Sequence, residues 1–257
     1  MNVVVTGASG FLGRHLCAAL LELWPEAYVA AIGRSEPGVL SALRGPRFVY
    51  YRVDGGATLR NADVVFHLAA ETGARRAVIA RGFTLAADNC ALTRRVLDAA
   101  PVARVILAST AEVYGDHALT RAETDPIVLP VAGDSFYALG KAFDEAAVRA
   151  RGGLVCRLFN LAGAGQQPEA VVAAFVRAAL KDRKIVLDGG GDQVRSFIHA
   201  RDAVAGMIAV AEHGVPGEVY NVGVDRPISM RDLAHFVARN VRGDDGCEVV
   251  TRFASRG

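Results

Sequence analysis

The first thirteen residues restrict the fold more than any other stretch of the chain. Val3-Val4-Val5 is a short β-branched run, and Thr6-Gly7-Ala8-Ser9-Gly10-Phe11-Leu12-Gly13 leads from it into a helical pattern of Phe11, Leu12, His15, Leu16, Ala19, Leu20 and Leu23. A strand, a glycine-rich turn and a helix in that order are the context in which glycines 7, 10 and 13 acquire meaning. Glycine allows a tight turn, close approach of backbone to a pyrophosphate and close helix packing, and the free N–H groups of the helix start attract an anion. The turn is therefore read as a dinucleotide site.

The rest of the chain repeats the alternation. Apolar runs at 2–5, 28–32, 48–53, 63–68, 105–109 and 154–158 read as strands, and the patterns at 11–23, 84–99 and 137–149 read as helices between them. Such alternation predicts a parallel sheet with helices on both faces and right-handed crossovers. Ligands in these sheets sit at the carboxyl ends of the strands. Gly7, Gly33-Arg34, Asp54, His67-Leu68-Ala69-Ala70 and Ser109-Thr110 all fall at such ends. After Leu158 the pattern changes to glycine-rich turns at 162–165 and 188–192 between helices near 169–180 and 201–212. The expected organisation is a dinucleotide-binding domain over 1–158, to which later segments return, and a short, partly discontinuous substrate lobe over 159–257.

With 257 residues, 52% of them hydrophobic, the chain can bury one large core or somewhat more than one domain. The 29 basic and 27 acidic residues are spread along it for a net charge of +2, so neither a nucleic acid nor a membrane partner is expected. Cysteines 17, 90, 156 and 247 form no C-x-x-C or His/Cys cluster, so no metal site is expected and reduced, buried thiols are. No basic n-region, h-region or apolar run of membrane-spanning length is visible, and a cytoplasmic protein is the expectation.

Tyr137 and Lys141, in Ser135-Phe136-Tyr137-Ala138-Leu139-Gly140-Lys141, stand four residues apart on one helix face. An ammonium roughly 6 Å from a phenol, at an effective dielectric near 20, favours phenolate by roughly 3 kcal/mol, or about two pKa units. The expectation is that Lys141 makes Tyr137 a usable acid/base near neutral pH. A lone Y-x-x-x-K is common on amphipathic helices, so the pair gains weight from the glycine turn in the same chain.

These motifs resemble the extended short-chain dehydrogenase/reductase superfamily, in particular the NAD-dependent epimerase/dehydratase family that modifies nucleotide-activated sugars. The resemblance runs from Met1 to about Arg242. It rests on Thr6–Gly13, His67-Leu68-Ala69-Ala70, Asn89, the Ser109–Gly115 segment, Tyr137-x-x-x-Lys141, Arg157-Leu158-Phe159-Asn160, the Gln193–His199 segment and Tyr220-Asn221-Val222-Gly223. It implies a Rossmann-type doubly wound α/β fold with a small C-terminal α/β substrate lobe. By the same resemblance Tyr137 is the acid/base, Lys141 binds the nicotinamide ribose, and Thr110 hydrogen-bonds the reacting sugar oxygen. Gly7, Gly10, Phe11, Leu12, Gly13, Asp54, Leu68, Ala69, Ala70 and Asn89 line the cofactor, and Glu112, Asn160 and Arg195 meet the sugar nucleotide. A homodimer through the helices at 84–99 and 137–149 is the family habit.

Four departures shape the expected reaction. Gly33-Arg34 replaces the acidic residue that often ends the second strand, and a cation there suits a 2'-phosphate, so NADP(H) is favoured with NAD(H) as the alternative. The 4,6-dehydratases carry Asp-Glu after the catalytic Thr, whereas this chain has Ala111-Glu112, which argues against dehydration by that route. The lead into the tyrosine, Gly133-Asp134-Ser135-Phe136, and the segment 71–83 are altered, pointing to an unusual sugar. The sequence ends at Gly257, earlier than most relatives, which implies a minimal lobe or one completed by a partner. Reduction of a 4-keto nucleotide sugar is the first expectation. A 4-epimerase with retained NAD is the second, and a catalytically silent, NADP(H)-sensing binding protein the third.

Overall fold

The computed structural model describes residues 1–53, 59–72, 75–115, 121–128, 136–243 and 246–252. In chain order the elements begin β1 (Asn2–Thr6), α1 (Phe11–Leu23), β2 (Tyr28–Gly33), β3 (Phe48–Arg52), β4 (Val64–His67) and α2 (Arg75–Ala99). They continue through β5 (Arg104–Thr110), α3 (Phe136–Arg149), β6 (Leu154–Leu158), β7 (Asn160–Ala162), α4 (Val171–Lys181) and β8 (Lys184–Asp188). The remainder is β9 (Val194–His199), α5 (Ala200–His213), β10 (Val219–Val222), β11 (Pro227–Ser229), α6 (Met230–Arg242) and β12 (Glu248–Arg252).

The chain falls into two compact units, Met1–Phe159 with Ala200–Val222, and Asn160–His199 with Gly223–Gly257. The first is built on a seven-stranded sheet of order β3-β2-β1-β4-β5-β6-β10, every pair parallel. The order reverses at β1, and the α/β rule puts the ligand crevice at that switch point. Parallel strands covered on both faces read as continuous apolar runs. Val3, Val4 and Val5 of β1 and Val64, Val65 and Phe66 of β4 are accordingly all buried. The second unit pairs β11-β9-β7 and β12-β8, and packs α4 and α6 around Ala179, Ile185, Leu187, Leu233 and Val237.

Two local features differ from the sequence expectation. The helix expected from residue 84 begins at Arg75 and is broken at Gly82, whose φ of 46° and ψ of −125° no helical residue adopts. A well-formed α6 follows Ser229, whose Oγ accepts from the Asp232 N–H and donates to the Asp232 carboxylate at 2.6 Å. Ser229 is thus the N-cap of α6, and the helix ends with Gly243 at φ 79°.

One polar side chain interrupts the apolar run of β4. His67 is 1% exposed, and its ring lies 2.7 Å from Thr6 Oγ1 through Nδ1 and 3.1 Å from Thr93 Oγ1 through Nε2. Thr6 Oγ1 already accepts the Ala69 N–H, and Thr93 hydrogen-bonds the acceptor-only carboxylate of Asp144. The assignment that satisfies all partners has Thr6 donating to Nδ1 and a neutral ring donating from Nε2. Burial, and after it the Lys141 charge, lower the His67 pKa to about 3.

The consequence is acid sensitivity. Below pH 6.5 the unfolded histidine takes up a proton that the folded one refuses until about pH 3, so the unfolded state binds more protons and stability falls with pH across that window. Between pH 7 and pH 5 this amounts to about 2 kcal/mol. Urea titrations at the two pH values should show the wild type losing about that much more stability than His67→Gln. Equal losses would contradict the buried neutral histidine.

Candidate active site

The glycine turn is closed by steric contact. A Cβ on Gly7, at φ 73°, would stand 2.7 Å from the Ala69 nitrogen, and one on Gly13 would collide with the Gly7 carbonyl oxygen. The turn after β1 therefore lies directly against the Leu68–Ala70 segment after β4. Leu12 is buried beneath it, and Phe11 packs edge-on against His15. Gly10 caps α1 without any side-chain hydrogen bond, so the helix start keeps backbone donors for an anion. These residues fit a nicotinamide dinucleotide. Asp54 lies outside the described residues.

Gly33 closes β2 where family members often carry an acid, and a Cβ there would collide with the Tyr50 hydroxyl and Ser9 Oγ. Arg34 follows it and is largely exposed. Its Nη1 lies 2.8 Å from Glu71 Oε1, and Glu71 also pairs with Arg81. Asn89 fixes the same segment: its Oδ1 accepts the Glu71 N–H at 2.7 Å and its Nδ2 donates to the Glu71 carbonyl at 3.0 Å. Asn89 thus serves the cofactor region by shaping the 68–71 segment, with both ends of its amide engaged there. Exposed pairs such as Arg34–Glu71 are worth about 0–1 kcal/mol and exchange readily for a better anion.

At the end of β5, Thr110 Oγ1 accepts the Glu112 N–H at 3.2 Å, which leaves the hydroxyl proton to be donated. A 3-10 turn over Ala111–Tyr114 follows, and Glu112 sits close enough for its charge to act on Tyr137. Tyr137 opens α3, and the residues just before it, 129–135, lie outside the described residues. Asn160 and Arg195 belong to the second unit. Asn160 pairs with Phe197 in the β7–β9 register, so Arg195, two residues earlier on β9, shares a face of that sheet with it. Asn160 Nδ2 also donates to the Ser196 carbonyl.

The electrostatics around Tyr137 overturn one expectation. Partial burial of Tyr137, then the negative charges of Glu112 and Asp144, push its phenol above the ordinary value of 10. The Lys141 side chain is 3% exposed, and its ammonium lies 3.6 Å from Asp144 on the next turn. These effects favour the neutral phenol over the phenolate at Tyr137. Asp144 was not among the expected site residues, although a carboxylate three residues after a lysine on one helix face is a visible signal.

A second buried network stiffens the strand ends beneath the site. Glu145 accepts from Ser109 Oγ at 2.5 Å and from Arg157 through Nε and Nη2, the latter at 2.7 Å. Arg157 also donates to the Tyr114 hydroxyl at 2.8 Å, which donates to Asn221 Oδ1 at 2.7 Å. These bonds tie β5, β6 and β10 to α3. All four cysteines are free, and no described helix is long and apolar enough to cross a membrane.

A family model for the NAD dependent epimerase/dehydratase family matches residues 3–223. A dTDP-glucose 4,6-dehydratase of Streptomyces griseus is 31% identical over 266 residues, covering 95% of this chain and 80% of the relative. Among solved structures, a dTDP-glucose 4,6-dehydratase of Streptomyces venezuelae with NAD bound superposes with a TM-score of 0.84 at 26% identity, covering 100% of this chain and 85% of that one. A UDP-glucuronic acid 4-epimerase of Bacillus cereus in complex with NAD gives 0.82 at 25% identity, covering 98% and 89%. By its motifs, its sheet and these matches, the chain belongs to the NAD-dependent epimerase/dehydratase family.

Proposed function

We propose that this protein transfers hydride between a nicotinamide cofactor and a carbinol carbon of a nucleotide-activated sugar, acting as a reductase of a 4-keto sugar. The feature that carries the reading is Ala111 between Thr110 and Glu112, where the 4,6-dehydratases have a carboxyl, with the Tyr137 hydroxyl left to supply the proton that reduction of a carbonyl needs. The cofactor, when bound, supplies the hydride. The chain's own residues handle the oxygen: the Tyr137 hydroxyl gives up its proton to it, and Thr110 donates a hydrogen bond that stabilises developing negative charge. Hydride on carbon and proton on oxygen complete the alcohol. Dehydration would also need a group to protonate a departing hydroxyl, and Ala111 offers none at the position where the 4,6-dehydratases carry a carboxyl.

In this reading Lys141 holds the nicotinamide ribose, Asn160 and Arg195 take the substrate's pyrophosphate, and the unit formed by 160–199 and 223–257 is the substrate lobe. Phe83 on α2 and Phe143 on α3, both largely exposed, support a homodimer through those helices. A cytoplasmic location stays part of the proposal. The second reading, a 4-epimerase that retains NAD, draws support from the Arg34–Glu71 pair, which occupies the cation that favours NADP(H), and from the relatives' complexes with NAD.

Two variants test the assignment. In single-turnover reduction of a 4-keto nucleotide sugar, Tyr137→Phe should slow hydride transfer by about 100- to 10,000-fold while the cofactor dissociation constant moves little. Wild-type rates in that variant would sink the mechanism. Arg34→Asp should weaken NADPH binding by about 1 to 3 kcal/mol and spare NADH. If fluorescence titration finds both cofactors unaffected, NADP(H) is not the preferred cofactor and the epimerase reading gains.

A further inference from the structure

The Lys141–Asp144 pair is almost completely buried. The Lys141 and Asp144 side chains are 3% and 2% exposed, and α2 packs against α3 here with its Cys90 and Thr93 on Asp144. The packing is close because residue 140 is glycine: a Cβ there would come within 3.1 Å of the Ala86 Cα. Asp144 Oδ2 has no hydrogen-bond partner among the described residues, and the ammonium at 3.6 Å is what compensates its charge. Burying one unpaired carboxylate costs several kcal/mol, so the pair stands or falls together.

Asp144 is also the end of a one-way chain of donors. The Ala69 N–H donates to Thr6, Thr6 to His67, His67 to Thr93, and Thr93 to the Asp144 carboxylate, which Cys90 also hydrogen-bonds. Every bond in this chain points its proton toward Asp144, and each lends stability to a negative charge there. The same chain starts at Ala69, against the glycine turn. A single buried carboxylate thus connects the cofactor turn to the catalytic helix.

We propose that Asp144 is a positioning residue, which anchors Lys141 in its ammonium form on the buried side of α3 and thereby controls the charge that the Tyr137–Lys141 couple presents to its ligands. The inference deepens the hydride-transfer reading and rests on it for its catalytic consequence. The groups facing the pair are Tyr137 and Glu145 on α3, Cys90 and Thr93 on α2, and His67 on β4, with Glu112 acting on Tyr137 from the turn after β5. Burial lowers the Lys141 pKa and raises that of Asp144, each charge opposes the other's shift with Thr93 and Cys90 helping to hold Asp144 ionised, and Glu112 and Asp144 raise the pKa of Tyr137. Loss of the Asp144 charge should therefore move both Lys141 and Tyr137 downward, and the alkaline limb of reduction with them.

The chain has only three lysines, 141, 181 and 184, and the latter two are exposed. Lysine-selective 15N and 13C NMR of the cofactor-free protein can therefore follow Lys141, assigned by its loss in Lys141→Met. The wild type should show one ammonium protected from exchange with water. In Asp144→Asn that protection should vanish and the Lys141 midpoint should fall by about one pH unit or more, an opposite charge within 4 Å being worth about that much. Asp144→Ser, which leaves a small hydroxyl in the pocket, should do the same. In turnover assays the alkaline limb should shift down by a similar interval, whereas a merely structural role would change stability and leave pH dependence alone. An unmoved midpoint in either folded variant, or a wild-type Lys141 that exchanges as freely as the exposed lysines, overturns the proposal. A shifted midpoint in a protein that turns over no keto sugar would uphold the anchoring and refute the hydride-transfer reading instead.

Discussion

Two ion pairs buried on successive turns of α3 organise this molecule. Lys141 meets Asp144 on the side facing α2 and β4, and Glu145 meets Arg157 on the side facing β5 and β6. Ionised groups lose several kcal/mol of hydration each when buried, and they persist only with close partners and satisfied hydrogen bonds. Glu145 and Arg157 have them in Ser109 and Tyr114; Asp144 has them in Thr93 and Cys90. The helix that carries Tyr137 is thus fixed on both flanks by charge, and the tyrosine inherits its orientation from that frame.

The arrangement separates two jobs that a Y-x-x-x-K motif is commonly asked to do together. A lysine near a tyrosine can supply charge to make phenolate, or it can be held elsewhere and leave the phenol intact. Here the ammonium is drawn into the protein, and two carboxylates, Glu112 and Asp144, act on the phenol instead. A proton donor suits carbonyl reduction more than it suits the opening oxidation of an alcohol. In the proposed reduction, Ala111 in place of a carboxyl leaves hydride and proton exchange at a single carbon and its oxygen as the chemistry.

The central sheet was legible in the sequence because each of its first six strands is a short β-branched or apolar run, and parallel strands buried on both faces need no alternation. The glycine turn was legible for a steric reason, since only glycine fits at positions 7 and 13. The charge environment was less visible. The motif shows Tyr137 and Lys141 on one helix face, but the depth of Lys141 depends on the approach of Ala86 to Gly140, a contact between residues far apart in sequence. Arg34 is likewise plain as a cation after β2, while Glu71 as its partner depends on the path of the segment after β4. In the second unit β7 and β11 have only three residues each, too few for a pattern, although the Ser229 cap and Gly243 bracket α6 clearly.

Isotopic labelling separates hydride chemistry at one carbon from dehydration. The protein would be incubated in deuterated water with a 4-keto nucleotide sugar and reduced nicotinamide cofactor carrying deuterium at its transferable position, and the product examined by NMR. Reduction by hydride transfer gives a secondary alcohol with cofactor-derived deuterium at C4 and no solvent deuterium on any sugar carbon. Solvent deuterium on the carbon beside the carbonyl, with no cofactor label at C4, would mean that the enzyme removes carbon-bound protons, and would contradict it.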